Sequence, residues 1–196
     1  RKALSDMAQK TIPSGARRLA KTDYRNLMRR RIRRILLICS SYDAYTLEED
    51  GRLEVQLNHE YMELNLSNPP SFTRVSSSTE ALELLQGEND FDLVISMFNV
   101  GDLDVFHFSK QLKALHPEIP FVLLTNFSKD IYRRIEGEDR SAIDYIFSWH
   151  GNADLILAIV KLIEDRMNAD DDILGVGVQS ILLVEDSIRY YSTYLP

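Results

Sequence analysis

The chain has 196 residues, of which 44% are hydrophobic and 27% charged, and its net charge is −7. These proportions fit one well-buried globular domain with extensions, and they exclude collagen-like, disulfide-rich and disordered classes. No apolar run reaches the ~18 residues that a membrane-spanning helix needs, and the single cysteine, Cys39, leaves no internal disulfide, which points to a reducing cytoplasm.

The charge is unevenly spread. Residues 1–34 carry twelve Lys and Arg against Asp6 and Asp23, a balance of +10, so the remainder carries −17. Residues 1–31 thus read as a basic arm on an acidic body. Clustered Arg releases counterions from a polyanion, so nucleic-acid binding is one reading of the arm. It is disfavoured, because the arm lacks interleaved aromatics and the acidic body repels phosphate. Arg29, Arg30, Arg31, Arg33 and Arg34 read instead as solvated charge where the chain enters a sheet. The start at Arg1, without Met, suggests an excised fragment or a tagged chain.

From there, apolar runs of strand length alternate with stretches of helical period, the pattern of parallel strands joined by crossover helices. Ile35 to Cys39 is continuously apolar and predicts a central strand buried on both faces. Glu48-Glu49-Asp50-Gly51 suggests a turn or short hairpin before the first helix. That helix carries Leu53, Leu57, Tyr61 and Leu64 at helical spacing, and Asn68-Pro69-Pro70 ends it. Phe72 to Val75 is a short second strand, followed by a Ser-capped helix through Ala81, Leu82 and Leu85. Leu93 to Phe98 predicts the third strand and Phe106 to Leu115 the third helix. Pro120 opens a fourth strand, Phe121 to Leu124, before a polar helix around Ile131 to Glu136. Ile143 to Phe147 makes the fifth strand. A closing helix, Ala153 to Met167, lines up Leu155, Ile156, Ile159, Val160 and Ile163 on the side that covers the sheet.

Ligands of such open sheets bind at the carboxyl ends of the strands, near the point where strand order reverses. Three ordered segments carry a family resemblance there: Asp92 through Asp104, Ile119-Pro120-Phe121-Val122-Leu123-Leu124-Thr125, and Ala142-Ile143-Asp144-Tyr145-Ile146-Phe147. Residues 32–168 resemble the receiver domain of two-component response regulators. The resemblance implies a flavodoxin-like (βα)5 α/β fold, a parallel five-stranded sheet of order 2-1-3-4-5 with helices on both faces. It also implies a parts list for aspartyl phosphorylation. An acidic pair after the first strand and the acceptor carboxylate after the third hold Mg²⁺, a Lys after the fifth neutralises the phosphoryl group, and a Ser or Thr after the fourth bonds it.

Carried over position by position, the list fails almost everywhere. The acidic pair falls on Ser40 and Ser41, the acceptor on Met97, and the lysine on Ser148, with Trp149 in place of the family's usual proline. Only Thr125 matches. A thioether is a poor nucleophile for phosphorus and a poor ligand for Mg²⁺, so these are degenerate phosphorylation-site positions. Asp43, Asp102 and Asp104 lie near and read as solvated loop carboxylates rather than a cation site. The stretch between Ser41 and Phe72 is longer than the family needs, and this insertion would lie over the site as a lid or pack on the surface.

Residues 169–179 read as a polar linker, Ala169-Asp170-Asp171-Asp172 with Gly175 and Gly177. Residues 180–196 resemble the start of a second receiver, Ile181-Leu182-Leu183-Val184-Glu185-Asp186-Ser187. There the acidic pair is present, Glu185 and Asp186 matching the family's Mg²⁺ ligands, but the chain ends at Pro196 before an acceptor. The Gly-Val-Gly here lacks the third glycine of a dinucleotide fingerprint. A lone strand from Ile181 to Val184 should stay disordered or add to a sheet edge, in this chain or a neighbour. The whole also resembles the amino-terminal part of bacterial proteins in which receivers precede a phosphoenolpyruvate synthase or pyruvate phosphate dikinase-type domain.

Other candidate residues carry less. His59, His107, His116 and His150 show no ligand spacing with one another or with Cys39, so no zinc site is expected. Cys39 reads as a small buried hydrophobe rather than a redox switch; Phe98, Phe106, Phe108 and Phe127 would ring the rim of the site, and core filling explains them adequately. The expectation is a cytoplasmic, non-enzymatic signalling module of the two-component phosphorelay class. It would lack its phosphoacceptor and any cofactor, with Mg²⁺ reserved for a complete second receiver. It would act by docking other protein domains, the second receiver or a homodimer partner, through the face of the fourth and fifth strands. Two alternatives remain: a regulatory region of an ATP-dependent phosphotransferase, and nucleic-acid binding through the arm.

Overall fold

The computed structural model describes residues 27–49, 53–63, 66, 68–87, 90–126, 128–149, 153–179, 183 and 187–196. Most of the basic arm, Asp50, Gly51, Leu64, Phe127, His150, Ile181, Leu182, Val184, Glu185 and Asp186 lie outside the described residues. The element order is β1 (Arg34–Ile38), α1 (Ser41–Glu49), α2 (Leu53–Glu63), β2 (Ser71–Val75) and α3 (Ser78–Gln86). It continues with β3 (Leu93–Met97), α4 (Val105–Leu115), β4 (Phe121–Thr125), α5 (Lys129–Gly137), β5 (Tyr145–Ser148), α6 (Ala153–Asp170) and α7 (Ile188–Tyr194). All strands pair in parallel in the order β2-β1-β3-β4-β5, the topology expected from the sequence.

Position in the sheet explains the strand sequences. β3 and β4 are buried at every residue, as parallel strands covered by helices on both faces must be. The edge strand β2, Ser-Phe-Thr-Arg-Val, alternates exposed and covered positions. The centre is apolar and closely packed: Phe108 and Phe121 are fully buried with ring centroids 5.6 Å apart. Phe108 therefore fills the core.

Two segments differ from the sequence-based expectation. Among the described residues, Ser40 opens a helix directly after β1, and Asp50 and Gly51 of the expected turn or hairpin lie outside them. Ser40 Oγ accepts from the Asp43 amide (3.1 Å) and the Ser40 carbonyl accepts from the Ala44 amide (2.9 Å), a side-chain cap that nucleates α1. Glu48 and Glu49 are thus helical. At the other end, Ala169 and Asp170 complete α6, and Asp171–Val176 form a π-helical turn in place of a linker. Gly177, at φ 81°, closes that turn with its amide on the Asp172 carbonyl, a left-handed position suited to glycine.

The carboxyl end of α6 does not fray, because it carries a strap. Glu164, Asn168 and Asp172 recur every four residues and accept from the amides of Ile32 (3.0 Å), Arg30 (2.9 Å) and Met28 (3.2 Å), which recur every two. The two repeats run in step along the helix, which rises ~6 Å over four residues. The Asn168 amide also donates to the carbonyls of Arg30 (2.8 Å) and Glu164 (2.7 Å). The strap fixes where the chain enters β1, and Asp92 finishes the job by accepting from Arg33 (2.8 Å) and Arg34 (2.9 Å) amides.

Asn168 is fully buried, so Asn168→Ala should strand two strap groups and destabilise the fold by about 2–3 kcal/mol in urea unfolding. A loss below ~0.5 kcal/mol, the scatter of ordinary surface changes, would show that the strap does not hold the strand.

Candidate functional site

The carboxyl ends of the strands gather the expected residues. Thr125 and Ser148 are register partners on β4 and β5, and Met97 lies opposite Leu124 on β3. Ser40 and Ser41 follow β1 at the same end. Met97 is 6% exposed, Thr125 4% and Ser148 2%, so the centre of this end is a closed floor. The hydroxyls are engaged locally: Ser40 Oγ donates to Asp43 (2.6 Å) and Thr125 Oγ1 to the Asn126 carbonyl (3.2 Å).

The loop carboxylates, read from sequence as solvated, are committed to helix starts. Asp102 accepts from the amides of Ser78 and Thr79 (both 2.9 Å) and from the Thr79 hydroxyl (2.8 Å), anchoring the start of α3. Burial works against its charge, but these bonds prevail and hold its carboxyl at about 2. Asp104 caps α4 through the Phe106 and His107 amides and pairs with Arg134 of α5. The Arg134 guanidinium also lies 5.5 Å over the Phe98 ring, which meets Phe106 edge-on. Between them the β3–α4 loop and Arg134 line a shallow cavity of about 330 Å³.

Mg²⁺, which the fold family implies, asks for an octahedron of hard oxygens. A buried thioether, two hydroxyls already bonded nearby and one capped carboxylate at Asp43 do not fit it. Cys39, beside this end, is 2% exposed, and burial pushes its thiol up to about 11 against the opposing pull of Arg74. Among the histidines, His59 stands 3.7 Å from Glu63 on an exposed turn of α2.

Two groupings escaped the sequence reading. Arg134 was visible only as part of a polar helix, because its partner lies 30 residues away. The other is the tail: Ser192 Oγ accepts from the buried Ser148 amide (2.8 Å), and Tyr191 stacks on Phe147. Nothing local in the sequence marks that contact.

No family model matches the sequence, and no curated protein is similar to it. Solved structures are similar in fold. A protein described as an adenylate cyclase from Rhodopirellula baltica superposes with a TM-score of 0.53 at 15% identity, over 74% of this chain and 98% of its own. A member of a family of redox sensors in the streptococci, described as evolved from two-component response regulators, gives 0.54 at 18%, over 80% and 59%. The response regulator DrrB of Thermotoga maritima gives 0.51 at 18%, over 69% and 54%. The match spans under two thirds of the latter two proteins. The chain has the fold of receiver domains.

Asp102 and Cys39 give pH-dependent expectations. A carboxyl held below its unfolded value stabilises the fold above pH ~4 and loses that contribution as pH falls through its folded pKa. The Asp102 carboxyl carbon should therefore titrate near pH 2, its exposed setting limiting the stabilisation to under ~1 kcal/mol. A midpoint near ~4 would remove the cap. The Cys39 thiol should resist iodoacetamide at pH 8 in the native chain and react on unfolding. Equal rates in both states would contradict its burial.

Proposed function

We propose that residues 32–168 form a pseudo-receiver, a signalling module that has kept the receiver scaffold and lost its phosphorylation chemistry, and that it acts by protein–protein interaction. The observation that carries this reading is the identity and burial of two side chains. Met97 and Ser148 stand covered where a nucleophilic carboxylate and a phosphoryl-binding ammonium would be required.

Without a phosphoryl group there is no charge event to bias two states, so the module rests in one conformation or is switched by a partner. The contact between Arg134, Asp104 and Phe98 supports the resting state, since it ties α5 to the β3–α4 loop across the site mouth. Docking through the side of the sheet that carries β4 and β5 fits this reading, with one modification: the outer edge of β5 is taken up by α7.

Other readings draw less support. A redox role, suggested by the streptococcal neighbour, would rest on Cys39, whose buried and neutral thiol is poorly suited to oxidation. Nucleic-acid binding loses part of its basis in the described part of the arm. Arg31 pairs with the buried Glu164 (3.4 Å) and Arg30 with Asp171 (3.5 Å), so those cations are already neutralised.

Incubation with acetyl phosphate and Mg²⁺ followed by intact mass measurement tests the proposal. The mass should remain unchanged. A stable gain of about 80 Da, one phosphoryl group, would overturn it.

A further inference from the structure

The outer edge of β5 is built as a slot. Tyr145 and Phe147, two residues apart and so on one face of the strand, stack with centroids 6.0 Å apart and planes 18° apart. Tyr191 of α7 extends the stack, 5.6 Å from Phe147 and 14° off parallel. Beside it Ser148 turns its amide outward, and Ser192 Oγ takes that hydrogen bond while donating to the Ile188 carbonyl (2.6 Å). Tyr191 and Leu195 pack on the main core, whereas Tyr190 and Tyr194 stack on each other in solvent. Recognition thus needs only an aromatic ring and a hydroxyl on adjacent residues of one helical turn.

The occupant holds the slot lightly. α7 has seven residues, too few for an isolated helix to persist in water, so its order comes from the slot. Eleven residues, 177–187, join it to the π-helical turn, and a chain of that length reaches up to ~36 Å when extended. The same reach that allows docking within one chain allows it between two, and every copy carries both the slot and the helix. Cis docking wins at low concentration through its high effective concentration, and trans docking gains as protein concentration rises.

We propose that the β5 edge is a docking site for segment 188–194 of a second copy, and that the chain's own α7 is the cis occupant that holds the site closed. This rests on the interaction-module reading and names its partner and surface. A phosphoryl adduct would overturn that reading without touching the slot, whereas an inert slot would leave it standing.

The test uses the full chain, its Tyr191→Ala variant and a synthetic peptide of residues 187–196. Circular dichroism first establishes that the variant is folded; if it is not, Ser192→Ala takes its place. The peptide should bind the variant and shift the Ser148 amide resonance, bind the unaltered chain at least ~10-fold more weakly, and lose ~5-fold or more on Ser192→Ala in the peptide. Sedimentation of the unaltered chain should show a concentration-dependent dimer that Tyr191→Ala suppresses. No binding at about 1 mM peptide, binding without any dimer, or a dimer indifferent to Tyr191→Ala would each overturn the proposal.

Discussion

A buried carboxylate on α6 sets the frame on which the rest is built. Glu164 is 1% exposed and is partnered by the Ile32 amide, Lys161 (2.8 Å) and Arg31. A buried charge is tolerable only when each of its partners is present, and removing one costs several kcal/mol because the charge is then left uncompensated. The position of the lead-in to β1 is therefore dictated by a helix at the far end of the sequence. β1 lies between β2 and β3, so its placement propagates to the sheet. The strap thus joins the two ends of the domain across more than 130 residues and turns a set of local βα units into one cooperative body.

At the opposite end of the strands the same accounting for polar groups applies. A receiver concentrates unpaired carboxylates there so that a metal can satisfy them. In this chain Asp43, Asp102 and Asp104 have each found protein donors, two of them as helix caps worth about 1 kcal/mol apiece. A carboxylate that already accepts several hydrogen bonds has little to gain from a cation it must share with hydroxyls. The Arg134–Asp104 pair is surface electrostatics and contributes at most ~1 kcal/mol. What holds this end in one arrangement is chiefly the packing beneath it, where Met97, Phe106 and Trp149 join the main core.

The central strands were legible because parallel strands covered on both faces leave no room for polar residues: β1, β3 and β4 were found to within a residue of their ends. The positions compared with the receiver site could be placed for a related reason, since each lies at the end of a readable strand or one or two residues beyond it. The misreadings arose where two signals overlapped. Glu48 and Glu49 read as the start of a turn or hairpin, but Ser40 and Asp43 lie eight and five residues before Glu48 as a helix-start pair, and the helix they open runs through Glu49. Asp170 to Asp172 read as a linker by composition, although Asp172 continues the four-residue spacing of Glu164 and Asn168. A polar residue repeating on an otherwise apolar helix was the available sign of the strap. The docking of Tyr191 on Phe147 had no sequence sign, being a contact across 44 residues between ordinary aromatics.

An open parallel sheet has two edges, and this chain treats them differently. β2 exposes Ser71 and Thr73 between its covered positions, a short polar edge that discourages pairing with another chain. β5 offers the stacked rings of Tyr145 and Phe147 with an outward amide at Ser148, an edge that needs covering. Covering it with a seven-residue helix on an eleven-residue connection is thermodynamically weak: the helix brings little order of its own, and closing the connection costs only a few kcal/mol. Under the pseudo-receiver proposal, partners would act through some other marginal contact. Among the described residues, the contact between β5 and α7 joins a buried aromatic surface to a helix too short to persist by itself.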